Sequence, residues 1–119
     1  MDSKIMKTIN IAVLLGLFIV SGHVSAVGIA NSFLVEKVRA DASGKGYVGF
    51  NKPLVSEGGL PPCSTHTREL AFNVNTLEGK AIMSLVLAAQ ASKSPVYARG
   101  TGECSVYSVV ESWDWGRIE

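Results

Sequence analysis

Histidine and cysteine are scarce: this 119-residue chain has two of each, His23, His66, Cys63 and Cys104. That shortage bears on metal chemistry. Cys63-Ser64-Thr65-His66 has the spacing of half a zinc site, but zinc takes four ligands and Cys104 is the one remaining thiol. No metal centre and no cofactor are expected. Catalytic signatures are missing too: no G-x-S-x-G, H-E-x-x-H or P-loop occurs. Gly100-Thr101-Gly102 falls between two predicted strands, the wrong context for a phosphate loop. No catalytic residue is assigned, and the chain is not expected to be an enzyme. Charge of one sign is lacking as well. Lys and Arg total 11, Asp and Glu 10, for a net charge of +1. Without a basic run to neutralise phosphates, nucleic acid is excluded as a partner. No acidic tail or low-complexity segment is present.

The one long apolar run is Ile9–Val20. It is shorter than the roughly 20 residues that span a bilayer. Lys4 and Lys7 precede it, and Ser21–Ala26 follows with small residues. A basic start, an apolar middle and a small-x-small end make a secretory signal peptide. Val24 and Ala26 fit the positions before the cut, so residues 1–26 are read as the leader. A retained membrane anchor is the alternative that the short run disfavours. The remainder, residues 27–119, is read as one domain, secreted or periplasmic, with no stable membrane anchor after cleavage. In an oxidising compartment an even cysteine count argues for a bridge. A Cys63–Cys104 disulfide would contribute roughly 4 kcal/mol by constraining the unfolded chain.

Val27–Asn31 reads as loose. Ser32–Asp41 reads as a strand whose two ends bury different faces. Ser43–Gly46 signals a turn, and Tyr47–Phe50 completes a hairpin. Lys52–Thr67, with Pro53, Gly58, Gly59, Pro61 and Pro62, is a long loop of the kind that carries function or moves. Glu69–Val74 alternates as a half-buried strand. Thr76 and Asn75 offer an N-cap for a helix over Leu77–Ser92, with Glu78 in its first turn and Pro95 beyond its end. That helix is apolar around most of its circumference, which calls for cover on more than one side. Pro95–Arg99 and Ser105–Ile118 are the last predicted strands. The order β-β-β-α-β-β makes the expected fold mainly β: a five-stranded OB-fold-like barrel with one helix and one disulfide. An open α+β sheet is the runner-up.

Trp113 and Trp115 share one parity on the final predicted strand. They could stack on sugar rings or fill a core or subunit interface. The loop residues Thr65 and His66 could add hydrogen bonds beside the bridge. These four form the candidate ligand-binding set. An exposed loop histidine with no catalytic role is the plainer reading of His66. Asp41, Arg39 and Lys45 read most simply as a solvated surface.

The helix Gly79–Ala89, the turn Gly100-Thr101-Gly102-Glu103-Cys104 and the aromatic strand after it resemble small exported proteins similar to the B subunit of subtilase cytotoxin. The resemblance covers roughly Glu69–Ile118. It implies an OB-fold, a disulfide and, for the toxin subunits proper, a five-membered ring that binds cell-surface glycans. It carries no glycan-contacting residue onto this chain. The leading expectation is an exported non-catalytic binding protein and homo-oligomer, with a cell-surface glycan as ligand. The alternative is a periplasmic or envelope structural domain whose partner is another protein.

Overall fold

The computed structural model describes residues 26–119. The predicted leader, Ala26 excepted, lies outside them. Six strands and one helix follow in order: β1 (Ile29–Phe33), β2 (Val35–Ala40), β3 (Lys45–Phe50), β4 (Glu69–Asn73), α1 (Leu77–Ser92), β5 (Val96–Gly100) and β6 (Trp113–Ile118). They form two three-stranded antiparallel sheets, β1-β5-β6 and β2-β3-β4. The fold is mainly β with one helix and one disulfide, as expected. It is not the expected five-stranded closed barrel. The chain passes between the sheets at Leu34 and again through the helix. Among the described residues the bridge Ala71–Ser112 sets β4 beside the residue ahead of β6, while Ile29–Val55 pins the long loop to β1.

Several strand boundaries depart from the sequence reading. Residues 29–31, read as loose, belong to β1. The stretch read as one bent strand from Ser32 is two strands in different sheets, parted at Leu34. Ser32 explains why the alternation misled: its φ is 58°, and the β1–β5 register slips between Ala30 and Phe33. Such a bulge turns both Ala30 and Phe33 inward despite their three-residue spacing. The last predicted strand is also too long. Residues 105–112 form a folded loop, and only Trp113 onward is strand. Val106 and Val110 gave that loop a strand-like pattern. Its end is tied back to the turn after β5, with Ser112 N–H donating to Glu103 at 2.8 Å and Thr101 N–H to Ser112 at 2.9 Å, while its Val109 and Glu111 carbonyls accept from Thr65 and Ala71.

The hairpin β2–β3 turns at Gly44, whose φ of 90° is a region that favours glycine. Inward residues Val38, Val48 and Leu70 align across β2, β3 and β4. With Phe33, Phe50, Phe72, Val96 and Trp113 they build the core. Phe33 and Phe50 meet edge to face at 6.3 Å.

Helix α1 spans the predicted residues. Thr76 Oγ1 accepts from Gly79 N–H at 2.9 Å, the expected N-cap. Lys93, at φ 54°, closes the C-terminus, and Ser94 N–H reaches Ala89 at 3.1 Å. The helix buries only Gly79, Val86 and Ala89 fully. Leu77 and Leu87 remain 82% and 47% exposed, so its apolar circumference is covered on one side only.

Candidate functional site

Cys63 and Cys104 form the expected disulfide, with Cα atoms 6.1 Å apart. It ties the long loop to the segment after β5. Thr65 N–H donates to Val109 at 3.0 Å, and Leu54 N–H to Thr67 at 2.8 Å. The loop expected to be functional or mobile is therefore anchored along its length. Among the described residues, no three His, Cys, Asp or Glu side chains gather as a metal site.

The two tryptophans do not act as a pair. Arg99 aligns with Trp115 and Gly100 with Trp113, so β6 carries Asp114 as one extra residue. That bulge breaks the alternation. Trp113 faces inward and is 8% exposed, a core residue, while Trp115 faces out at 44%. Gly116 makes room for the inward ring, since a Cβ there would lie 2.4 Å from Trp113 Cζ2.

Trp115 stands in an ordered group. Its ring lies 5.2 Å from that of Tyr97, tilted by 31°. The Arg117 guanidinium sits 4.8 Å from the Tyr97 centroid and 5.9 Å from that of Trp115. Cation–π contact and stacking hold the exposed indole in place. Beside it, between β6 and α1, runs a groove of about 250 Å³. Ala81, Ile82 and Leu85 give it an apolar wall, while Glu78 and Asp114 add carboxylates and Trp115 an aromatic edge.

Thr65 and His66 lie elsewhere, by the outer face of the β2-β3-β4 sheet. His66 Nδ1 meets Glu69 Oε2 at 2.9 Å. Lys37 Nζ reaches the other oxygen of the same carboxylate at 3.1 Å. Glu69 is 7% exposed, so these partners compensate a buried charge. The bond to Glu69 raises the Lys37 ammonium pKa above its ordinary value. Ser64 Oγ donates to the His66 carbonyl, not to the ring, so no nucleophile–base pair forms there. No hydrogen bond, ion pair or ring contact joins His66 to Trp115 among the described residues. The four predicted ligand-binding residues thus divide between a core position, an exposed platform and a separate loop.

Arg39 and Asp41, read from the sequence as solvated surface, belong to a larger cluster on that outer face. Tyr47 packs edge-on to Tyr107 at 6.1 Å and lies 6.4 Å from His66. The cations of Lys37 and Arg39 stand 5.7 and 5.5 Å from its centroid. Arg39 Nε donates to Asp41 at 2.8 Å, and the Tyr107 hydroxyl donates to the other Asp41 oxygen. The Tyr107 bond first, then Arg39, holds the Asp41 carboxyl below its usual range. Burial, then Asp41, pushes the Tyr107 phenol up to about 12. The hairpin register would have exposed part of this cluster, because Arg39 directly opposes Tyr47. Nothing local in the sequence brings in Tyr107, which arrives from a distant loop.

The chain matches no family model, no curated protein and no solved structure in comparisons with known proteins.

Proposed function

We propose that this chain is an exported, non-catalytic binding protein whose ligand is a carbohydrate and which acts as a homo-oligomer. The observation that carries the ligand reading is Trp115: an exposed indole, fixed by Tyr97 and Arg117, beside a groove with two carboxylates. Sugars offer an apolar ring face and a rim of hydroxyls. An aromatic platform suits the first, and Glu78 and Asp114 suit the second as acceptors. The resemblance to toxin B subunits belongs to the same reading. A disulfide and the lack of a long apolar helix among the described residues are compatible with a secreted or periplasmic location.

Two features support self-association. Among the described residues, strands β2 and β6 each end a sheet without a strand partner on their outer side. Unpaired edges accept strands from other chains. Leu34 beside β2, Ile118 in β6, and Leu77 and Leu87 on α1 are exposed apolar groups. Joining β2 of one copy to β6 of the next is a head-to-tail contact, which closes into a ring when the rotation permits.

The same edges favour the second reading, a domain whose partner is a different protein. A glycan array probed with the purified oligomer separates the two. Sugar binding lost on Trp115→Ala in folded protein supports the first. No binding to any glycan, by protein shown to be folded, supports the second.

A further inference from the structure

Glu111 is fully buried, at 0% exposure, in the loop just before β6. Its Oε1 and Oε2 lie 3.0 and 3.1 Å from the Gly28 N–H. Oε2 also accepts from Gly102 N–H at 3.0 Å. The cradle is made of glycines. A Cβ on Gly28 would fall 2.7 Å from Oε1, and one on Gly100 1.9 Å from Oε2. Backbone donors satisfy the oxygens but bring no full positive charge. No ion pair among the described residues includes Glu111. A carboxylate removed from water is costly unless a cation compensates it.

The predicted leader boundary lies at this cradle. Gly102, which donates to Glu111, also borders the bond to be cut. A Cβ on it would be 3.2 Å from the Ala26 carbonyl oxygen and 3.3 Å from Val27 Cγ1. Val27 immediately precedes Gly28. One residue step spans less than about 4 Å, which puts the Val27 nitrogen within about 7 Å of the carboxylate. In the uncut chain that nitrogen is a neutral amide.

We propose that cleavage after Ala26 creates the missing cation, and that the Val27 α-ammonium pairs with Glu111 to lock β1 onto the segment ahead of β6. Water, with a leader peptidase, splits the Ala26–Val27 amide. The new carboxylate leaves with the leader. The amine stays on Val27 and is protonated at neutral pH, as an ordinary α-amine with pKa about 7.7–8.0 largely is. The charge forms where only the torsions of Val27 separate it from Glu111. The precursor keeps a neutral amide there, so its fold stays looser until export and processing are complete. This rests on reading residues 1–26 as a cleaved leader.

The test uses the exported, processed protein. N-terminal sequencing should begin at Val27. The processed chain is then compared with the same chain acetylated on the Val27 amine, which removes the charge and little else. Acetylation should raise the unfolding equilibrium constant about tenfold, the equivalent of one unit of α-amine pKa shift. In Glu111→Gln it should change nothing. Should that variant not fold, the reactivity of the Val27 amine in the native chain decides. An acylating reagent should modify it more slowly in folded than in unfolded protein. Equal stability of free and acetylated chains, or equal reactivity folded and unfolded, overturns the proposal while leaving the leader reading intact. A first residue other than Val27 overturns both.

Discussion

Trp113 and Trp115 face opposite sides of β6, although a single residue separates them. The Asp114 bulge sends Trp113 into the core and Trp115 to the surface. Their substitutions should therefore behave differently. Trp113→Ala should cost about 3–5 kcal/mol, as for other large aromatic truncations in a core. Trp115→Ala should cost about 1 kcal/mol, the scale of a lost aromatic contact, and, if the proposed carbohydrate reading holds, abolish glycan binding. Denaturant unfolding and a binding assay on each variant check both. Equal destabilisation by the two would be incompatible with the bulge.

Gly79 allows a test in which helix propensity and packing disagree. Replacing a helical glycine by alanine ordinarily gains about 1 kcal/mol. Here the added Cβ would stand 1.7 Å from the Asn73 carbonyl oxygen, which is backbone and cannot swing aside. Gly79→Ala should destabilise by about 1–3 kcal/mol, the usual cost of overpacking. A rise in Tm would show that the end of β4 yields to the helix.

The helix was readable because the signals at its two ends agreed, Thr76 before it, Glu78 in its first turn and Pro95 after it, and outweighed Gly79 inside it. The β2–β3 hairpin was readable for the same reason, with Gly44 at its turn. Strand reading failed where a bulge resets the alternation, at Ser32 and at Asp114. It failed again at Val106 and Val110, whose apolar side chains serve a loop anchored by Cys104 and Ser112. Close Gly approaches, such as Gly100 against Glu111, depend on residues distant in the chain. The site was legible in part. The sequence singles out Trp115 but leaves core, interface and ligand roles open for it; its exposure and its supports, Tyr97 and Arg117, depend on the Asp114 bulge and the β5–β6 register. Glu111 sits in an apolar stretch, Val109-Val110-Glu111, and that isolation was the available signal for a buried carboxylate.

The Cys63–Cys104 bridge holds a loop that contributes little to the core, Leu54 within it and Leu60 packed against it. Much of its order therefore comes from the bridge and its backbone bonds. Cys104→Ala should lower stability by about 2–5 kcal/mol, the usual loss for a native bridge in a small exported domain. Alkylation of the unreduced protein should label neither thiol. Labelling of both would remove the bridge from the native state.

The Tyr107–Asp41 bond makes the outer-face cluster sensitive to pH at both extremes, with opposite signs. The Asp41 carboxyl is depressed by Tyr107 and Arg39 in the folded chain. Its contribution to stability is present above the ordinary aspartate value, about 3.9, and is lost as pH falls through the lower folded value. The Tyr107 phenol is raised to about 12. Its contribution is complete below the ordinary tyrosine value, about 10, and is lost as pH rises through the folded value. Asp41→Asn separates the causes, because it removes the carboxylate and leaves the burial. Followed by tyrosinate absorbance, the Tyr107 step should move down from about 12 but stay above about 10, since burial is the larger cause. Tyr107→Phe should remove that step and raise the Asp41 titration, read by NMR, toward the ordinary value without reaching it, because Arg39 still holds Asp41 Oδ1. An unmoved Asp41 titration in Tyr107→Phe would mean that the phenol does not bond that carboxylate in solution.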